Sequence, residues 1–369
     1  MSYLTMLLSP LNLLLFIIIV GLAIGRIRIK GISVGIAGIL FAAIFVGSIM
    51  IKLIPYGNSE IIVNAQSTLK IFSKLGTALF VSVIGLQTGF SIQKHSKDSM
   101  LAFVIGSLMS LSGVATMLLI SLLDKSISYA TLLGILCGAL TSTPGLSGVC
   151  EMLGNDSESA VLGYGCSYLF GVILVVLFVQ LFAKKHNNNK VQGSPQHDIK
   201  SRITPELILI CLTALCGNIL GNIKIASLTF GTTTGTLITG LLVGYIYCKT
   251  SKSNQISSQS LNAFRNLGLA LFFAGTGFST GSQSISFDVR SILYGIFITL
   301  TAIVCGWALC KLLRKSHPLH QGFIIAGGMT SSPAYASLSN SPTDSSVNCF
   351  SFSYFGALII LIIAISFIT

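Results

Sequence analysis

The sequence predicts an all-α polytopic membrane protein of about ten transmembrane helices. They are expected as two inverted five-helix repeats, each with a broken or re-entrant segment. Three observations predict this. Of 369 residues, 52% are hydrophobic and only 9% charged, whereas a soluble domain carries about 25% charged residues. Apolar stretches long enough to cross a bilayer as helix recur along the whole chain. The second half of the chain repeats the first.

The apolar stretches are continuous, where barrel strands would alternate. Each half holds six: 10–25, 31–53, 69–91, 99–122, 129–149 and 159–183, then 204–221, 228–248, 261–283, 291–310, 320–340 and 347–368. The first has no basic residue before it, and Arg26, Arg28 and Lys30 follow it. It is therefore expected as a retained span and not as a cleaved leader. The halves divide at "KKHNNNKVQGSPQHDIKSR". The expected boundaries are 1–183 for the first membrane repeat, 184–203 for a polar cytoplasmic linker and 204–369 for the second repeat.

The repeat is specific. "LKIFSKLGTALFVSVIGLQTG" (69–89) aligns without gaps against "LNAFRNLGLALFFAGTGFSTG" (261–281), with ten identical positions. "GRIRIKGISVG" (25–35) pairs with "GNIKIASLTFG" (221–231), and Thr141, Ser142 and Pro144 pair with Thr330, Ser331 and Pro333.

Charge decides how many segments cross. If all six in each half crossed, the basic linker and the loop of Glu151, Asp156 and Glu158 would lie on the faces that disfavour them. If the fifth segment of each half enters and leaves by one face, most Lys and Arg fall inside and the acidic loop falls outside. Five crossings per half follow, with both termini outside. Five is odd, so the second half starts on the opposite face. Secondary transporters share that arrangement, with a site near the midplane.

The fifth segments hold the unusual residues, "TSTP" at 141–144 and "TSSP" at 330–333. Pro144 and Pro333 donate no backbone N–H and bias Thr143 and Ser332 away from helix. The hydroxyls satisfy freed backbone groups or bind a ligand, and a half-helix start suits an anion. The structural alternative is a Pro-kinked helix whose Ser and Thr bond only to the neighbouring turn. The candidate substrate-binding residues are Thr141, Ser142, Thr143, Pro144, Thr330, Ser331, Ser332 and Pro333. Gln87, Thr88 and Thr280, from "GLQTG" and "GFSTG", complete the set. The glycines there either open the helix for an ion or allow close helix packing. Gly31, Gly35 and Gly38 read as packing residues.

All ten acidic residues lie in loops or at segment ends, so no intramembrane carboxylate marks a cation site. Lys70, Lys74 and Arg265 read first as orientation charges, with a second reading as attractors of an anion. Nine cysteines without a CxxC pair read as packing residues, and the five histidines lie in or beside polar loops. No metal, cofactor or nucleic-acid partner is expected. The partners expected are a small solute and the lipid bilayer; a homodimer is compatible with the sequence.

At "GIAGILFAAIFVG", "LGTALFVSVIGLQTG", "GILCGALTSTPGLSG" and "AGGMTSSPAYASLSNSPTDSS" the chain resembles the aspartate:alanine exchanger family, the YidE/YbjL-type transporters. The resemblance implies two five-helix membrane regions and secondary exchange of small amino or carboxylic acids. Relatives carry TrkA-C-like domains between the halves, where this sequence has only about twenty polar residues. They also carry a Tyr-Pro pair in the last span of each half, where this chain reads "SYLFG" and "SYFGA". The function expected is a multi-pass antiporter of the inner cell membrane, not an enzyme; a channel or uniporter for small anions is the alternative.

Overall fold

The computed structural model describes residues 9–26, 28–29, 32–33, 35–53, 59–92, 97–184, 203–225, 228–229, 231–250, 256–282, 288–313, 318–338 and 344–368. The linker expected at 184–203 lies almost wholly outside them.

Fourteen helices occur among the described residues, and each half has the same order of elements. The first half runs α1 (Pro10–Gly25), α2 (Gly38–Leu53), α3 (Ser59–Ile92), α4 (Lys97–Leu123), α5 (Tyr129–Ala139), α6 (Thr143–Leu153) and α7 (Ser157–Lys184). The second runs α8 (Ile203–Gly221), α9 (Gly231–Thr250), α10 (Ser258–Gly281), α11 (Val289–Leu313), α12 (Pro318–Gly328), α13 (Ser332–Leu338) and α14 (Asp344–Ile368). Among the described residues five stretches are long and apolar enough to span a membrane: Ile62–Phe90, Ser99–Leu123, Ser157–Gln180, Val289–Leu313 and Asn348–Ile368. Shorter apolar helices accompany them, Pro10–Gly25 and Gly38–Lys52 among them. One departure from the all-helical expectation is small. Arg28–Ile29 pairs with Ile32–Ser33, and Lys224–Ile225 with Leu228–Thr229, as two-residue antiparallel ribbons. They turn the chain between the first two helices of each half.

The helices form two groups that pack chiefly among themselves. α1, α2, α3, α8, α9 and α10 make a scaffold bundle; α4–α7 and α11–α14 make a hairpin bundle. Neither group is drawn from one half alone. α3 crosses α10 where Gly76 meets Gly268, and a Cβ on either would lie 2.5–2.7 Å from the other's carbonyl. Gly275 of α10 packs on Leu69 and Ser73 of α3, so these equivalent helices run antiparallel. α4 meets α14 at Gly106 and Ser353, and α11 meets α7 at Gly295 and Ser167.

α5 and α6 double back on each other. Gly134 lies on Ala160, Gly138 on Tyr164, and Gly171 on Ala139, so α5 and α7 run in parallel. The chain between them must return to the face from which α5 set out. In the second half, the rings of Phe323 on α12 and Tyr335 on α13 lie 5.4 Å apart. A straight helix would separate them by about 18 Å at 1.5 Å per residue. Each fifth segment is thus a helical hairpin.

The tight crossings leave no room for a side chain at many glycines. A Cβ on Gly134 would sit 1.8 Å from the Ala160 carbonyl oxygen, while Gly148 has nothing within 4 Å. Gly134→Ala should therefore destabilise by about 1–3 kcal/mol through overpacking. Gly148→Ala, in mid-helix, should be neutral or gain up to about 1 kcal/mol. Thermal unfolding of the two variants in detergent checks the contrast.

Just beyond the end of the Ser99–Leu123 stretch, Asp124 is bridged at 3.4 Å by Arg290, from the first turn of α11, which also bridges Asp288 at 2.8 Å. Ser126 donates to Asp124 from both its N–H and its hydroxyl, Tyr294 donates from its hydroxyl, and together with Arg290 they hold the Asp124 carboxyl down at about 2. A depressed carboxyl stabilises fully above its ordinary value of 3.8 and loses that contribution as pH falls through about 2. Acid titration of the parent against Asp124→Asn should show this low-pH loss only in the parent.

Candidate functional site

The chain reverses at Thr141 and at Thr330, and the two reversals are built alike. Thr141 and Thr330 have φ of 53° and 47°, a left-handed conformation that β-branched residues rarely adopt. Thr141 N–H donates to Gly138 O and Ser142 N–H to Cys137 O; Thr330 N–H donates to Gly327 O and Ser331 N–H to Ala326 O. This is the Schellman end of a helix, where glycine normally takes the left-handed position. Placing Thr there costs about 1–2 kcal/mol.

The hydroxyl explains the choice. Thr141 Oγ1 donates to the Met329 carbonyl at 2.6 Å, and Thr330 Oγ1 donates to the Leu140 carbonyl at 3.0 Å. Each tip thus satisfies a backbone acceptor left at the end of the opposite half-helix, which glycine would leave unmet. Immediately after, Ser142 Oγ accepts the Gly145 N–H and Ser331 Oγ accepts the Ala334 N–H. They cap the starts of α6 and α13. Pro144 and Pro333 fall second in their helices, where a missing N–H leaves no intrahelical bond unmade. Thr143 Oγ1 lies 3.2 Å from the hydroxyl of Tyr164, which is fully buried. Ser332 begins α13; its side chain lies outside the described set.

Two cavities lie within the bundle, one at the tips and one apart from them. The smaller, about 130 Å³, is lined by Thr141, Thr143, Pro144, Thr330 and Pro333 from the tips, and by Tyr168 and Tyr354 from α7 and α14. Its far wall is the start of α10, with Arg265, Asn266, Leu269 and Phe273, and the turn at Gly35 and Ile36. The larger, about 850 Å³, lies between α6, α7 and the scaffold helices α3, α8, α9 and α10. The exposed Lys70 and Lys74 line it, together with the half-buried Glu151 and Glu158. Thr280 also lines it; its buried hydroxyl has no hydrogen-bond partner among the described residues.

Eight of the eleven residues singled out in the sequence thus sit at or beside the meeting tips. Thr280 lies apart from them, in the larger cavity. Thr88 bonds to the Ile84 carbonyl of its own helix at 2.8 Å, and Gln87 to Asn262 at 3.0 Å; neither lines a cavity described here. The glycines around them are packing surfaces: a Cβ on Gly89 would lie 2.4 Å from Leu241 O, and one on Gly281 2.0 Å from Ile44 O. Gly38 packs likewise against Gly21 O at 2.4 Å, and Gly35 packs on Gly25, where a Cβ would lie 2.1 Å from Gly35 O; Gly35 itself has φ of 62°, with no described residue within 4 Å of a Cβ placed on it.

Sequence reasoning undervalued three residues. Arg265 read first as an orientation charge, yet it lines the tip cavity. Its signal was present: in the gapless alignment it replaces Ser73, and with Leu269 and Phe273 it marks one helical face. Tyr168 and Tyr354 were visible only as the tyrosines of "SYLFG" and "SYFGA".

Paired re-entrant hairpins meeting tip to tip inside an apolar helical bundle define a polytopic transport-type membrane protein. The chain matches the family model described as predicted permease membrane region (Asp-Al_Ex) over residues 13–184 and 209–369, and it belongs to that family. It is 35% identical over 194 residues to an uncharacterized transporter of Rhodopirellula baltica, which covers 51% of this chain and 33% of the relative. An uncharacterized transporter of Corynebacterium glutamicum is 36% identical over 184 residues, 48% of this chain and 31% of the relative. These matches therefore span about a third of the relatives' own length.

The reciprocal tip bonds are testable. Thr141→Val and Thr330→Val keep the branched shape and remove the donor. Each should cost about 1–3 kcal/mol by leaving a buried carbonyl unmet, read as a lower unfolding midpoint, while the serine variants stay closer to the parent.

Proposed function

We propose that the protein is a secondary transporter, an antiporter, for a small amino acid or carboxylate anion in the inner cell membrane. The carrying observation is the pair of hairpin tips that exchange hydrogen bonds and line one cavity, with a second cavity between the hairpin bundle and the scaffold bundle. The two halves act as an inverted repeat. The antiparallel crossing of the equivalent helices α3 and α10 at Gly76 and Gly268 supports this reading, as does the pairing of equivalent tips.

In this reading the hairpin bundle moves as a unit against the scaffold bundle, and each movement opens one cavity and narrows the other. Alternation between two such states carries solute across without a continuous path. The hydroxyls of Thr141, Thr330, Ser142 and Ser331 hold the tips in shape. The solute meets the remaining surface of the tip cavity: the accepting lone pairs of those hydroxyls, the half-helix starts, Tyr168, Tyr354 and Arg265. Glu151 on α6 accepts the N–H groups of Thr232 and Thr233 on α9, the latter at 2.8 Å, and Ser147 bonds to Thr233. These contacts join the hairpin bundle to the scaffold beside the larger cavity, and they must part if the bundles slide there.

Counterflow in proteoliposomes tests the reading. Vesicles loaded with L-aspartate should take up labelled L-aspartate or L-alanine faster than empty ones, with saturation. Thr141→Ala and Thr330→Ala should lower the rate at least severalfold at equal insertion. Downhill flux that neither saturates nor accelerates with internal solute points to a channel and rejects the antiporter.

A further inference from the structure

The two cavities are lined by successive turns of the same four helices. On α3 the larger cavity has Thr77 and the tip cavity has Ile84. On α7 they have Val161 and Tyr168, and on α10 they have Thr276 and Leu269. The members of each pair lie two helical turns apart, about 10 Å, and therefore on one face. On α6 a single turn separates Ser147, in the larger cavity, from Pro144 at the tips. Each of the four helices thus presents one continuous face to both spaces. Two unrelated voids have no reason to share four walls; the two ends of one interrupted path do.

A band of aromatic rings makes the interruption. Phe80 on α3 meets Phe272 on α10 with ring centroids 5.6 Å apart, and Phe272 meets Phe273 at 5.7 Å. Phe273 meets Tyr164 on α7 at 6.2 Å, and Tyr164 stacks on Tyr168 at 5.1 Å. Phe80, Phe272, Phe273 and Tyr164 are buried. The rings fall at the gap in each wall: Phe80 between Thr77 and Ile84, Tyr164 between Val161 and Tyr168, and Phe272 and Phe273 between Leu269 and Thr276, each one turn from both. Phe272 lines the larger cavity and Phe273 the tip cavity. The fourth wall joins through Thr143 of α6, whose hydroxyl lies 3.2 Å from that of Tyr164. Core packing alone accounts for buried rings, but not for rings at the gap of every wall.

The band is also divided between the two bundles. Phe80, Phe272 and Phe273 belong to the scaffold; Tyr164, Tyr168 and Thr143 belong to the hairpin bundle. The Tyr164 hydroxyl is held within its own bundle by Thr143, and Tyr164 meets the scaffold ring to ring. Hydrogen bonds weaken steeply with small displacements, whereas ring contact persists over centroid separations of about 4.5–7 Å. We propose that these rings are the barrier of a solute path joining the two cavities, with one leaf on each bundle: Phe272 and Phe273 on the scaffold, Tyr164 on the hairpin bundle. Apolar side chains across a polar path hold back small hydrophilic solutes by excluding water. A shift of the hairpin bundle carries Tyr164 with the tips and parts it from Phe273, so that the solute passes between α7 and α10. The proposal deepens the transporter reading and rests on it for what moves the bundles; the sharing of walls by the two cavities does not depend on it.

The test uses the full chain in proteoliposomes at equal insertion. Labelled glycine is trapped inside, and its loss into solute-free buffer is followed. The parent should retain it. Phe273→Ala and Tyr164→Ala should each release it at least severalfold faster, because the shortened side chain joins the cavities. Should Phe273→Ala fail to insert, Phe273→Leu takes its place and should show a smaller increase. Phe323→Ala removes an equally buried ring that lines neither cavity; it should lower the unfolding midpoint without release. Ring variants that insert and retain glycine as the parent does overturn the barrier. So does a parent that releases glycine as fast as Phe273→Ala. Equal release from Phe323→Ala overturns it too, since leakage then follows from lost packing anywhere. Release from Phe273→Ala, in a protein whose parent shows no counterflow, keeps the barrier and removes the antiporter reading. Counterflow in the parent, with no release from any ring variant, does the reverse.

Discussion

Two chain reversals inside an apolar bundle need their backbone groups satisfied from within the protein, and everything else in this structure is arranged around that need. A bilayer supplies no water to a broken helix. Here each reversal leaves a carbonyl at the end of a half-helix, Leu140 in one hairpin and Met329 in the other. The threonine of the opposite tip bonds to it. Neither hairpin is complete alone. The left-handed conformation at Thr141 and Thr330 is the local cost, and the hydroxyl is what offsets it. The tips therefore hold one shape while the surface beside them stays open to a solute.

The close helix approaches that carry the hairpins come from absent side chains. Lipid offers no hydrophobic drive for helix association, so contact depends on fit and on backbone proximity. Equivalent glycines provide it in both halves: Gly76 and Gly268 at the crossing of α3 and α10, Gly106 and Gly295 where the last helix of each half meets the other half, Gly138 and Gly327 within the hairpin bundle. Ser167 and Ser353 bond to the Ile135 and Ile324 carbonyls and tie the last helix of each half to its hairpin.

Function departs from this symmetry. Arg265 stands where the first half has Ser73, Asn266 where it has Lys74, and Glu151 where the second half has Asn340. The start of α9 holds the Glu151 carboxylate, while the equivalent turn at Gly35 and Ile36 lines the tip cavity. The duplicated frame makes the two hairpins alike, and the unequal residues make their surroundings chemically different.

The sequence alone determined the class, the duplication and the place of the hairpins. Hydrophobic length, gapless identity between 69–89 and 261–281, and proline after a run of hydroxyls are local signals, and local physics decides them. It could not decide which hydroxyls remain for a ligand, because Thr141 and Thr330 spend theirs on carbonyls 188 and 190 residues away in sequence. Nor could it separate Gly35, whose positive φ suits a glycine, from Gly38, whose missing side chain lets α1 approach, since both read as small residues in one short stretch. Arg265 looked like a charge at a segment end; only the approach of α10 to both tips made it part of a cavity. Those assignments depend on which distant surfaces meet, and that is settled by the packing of the whole bundle.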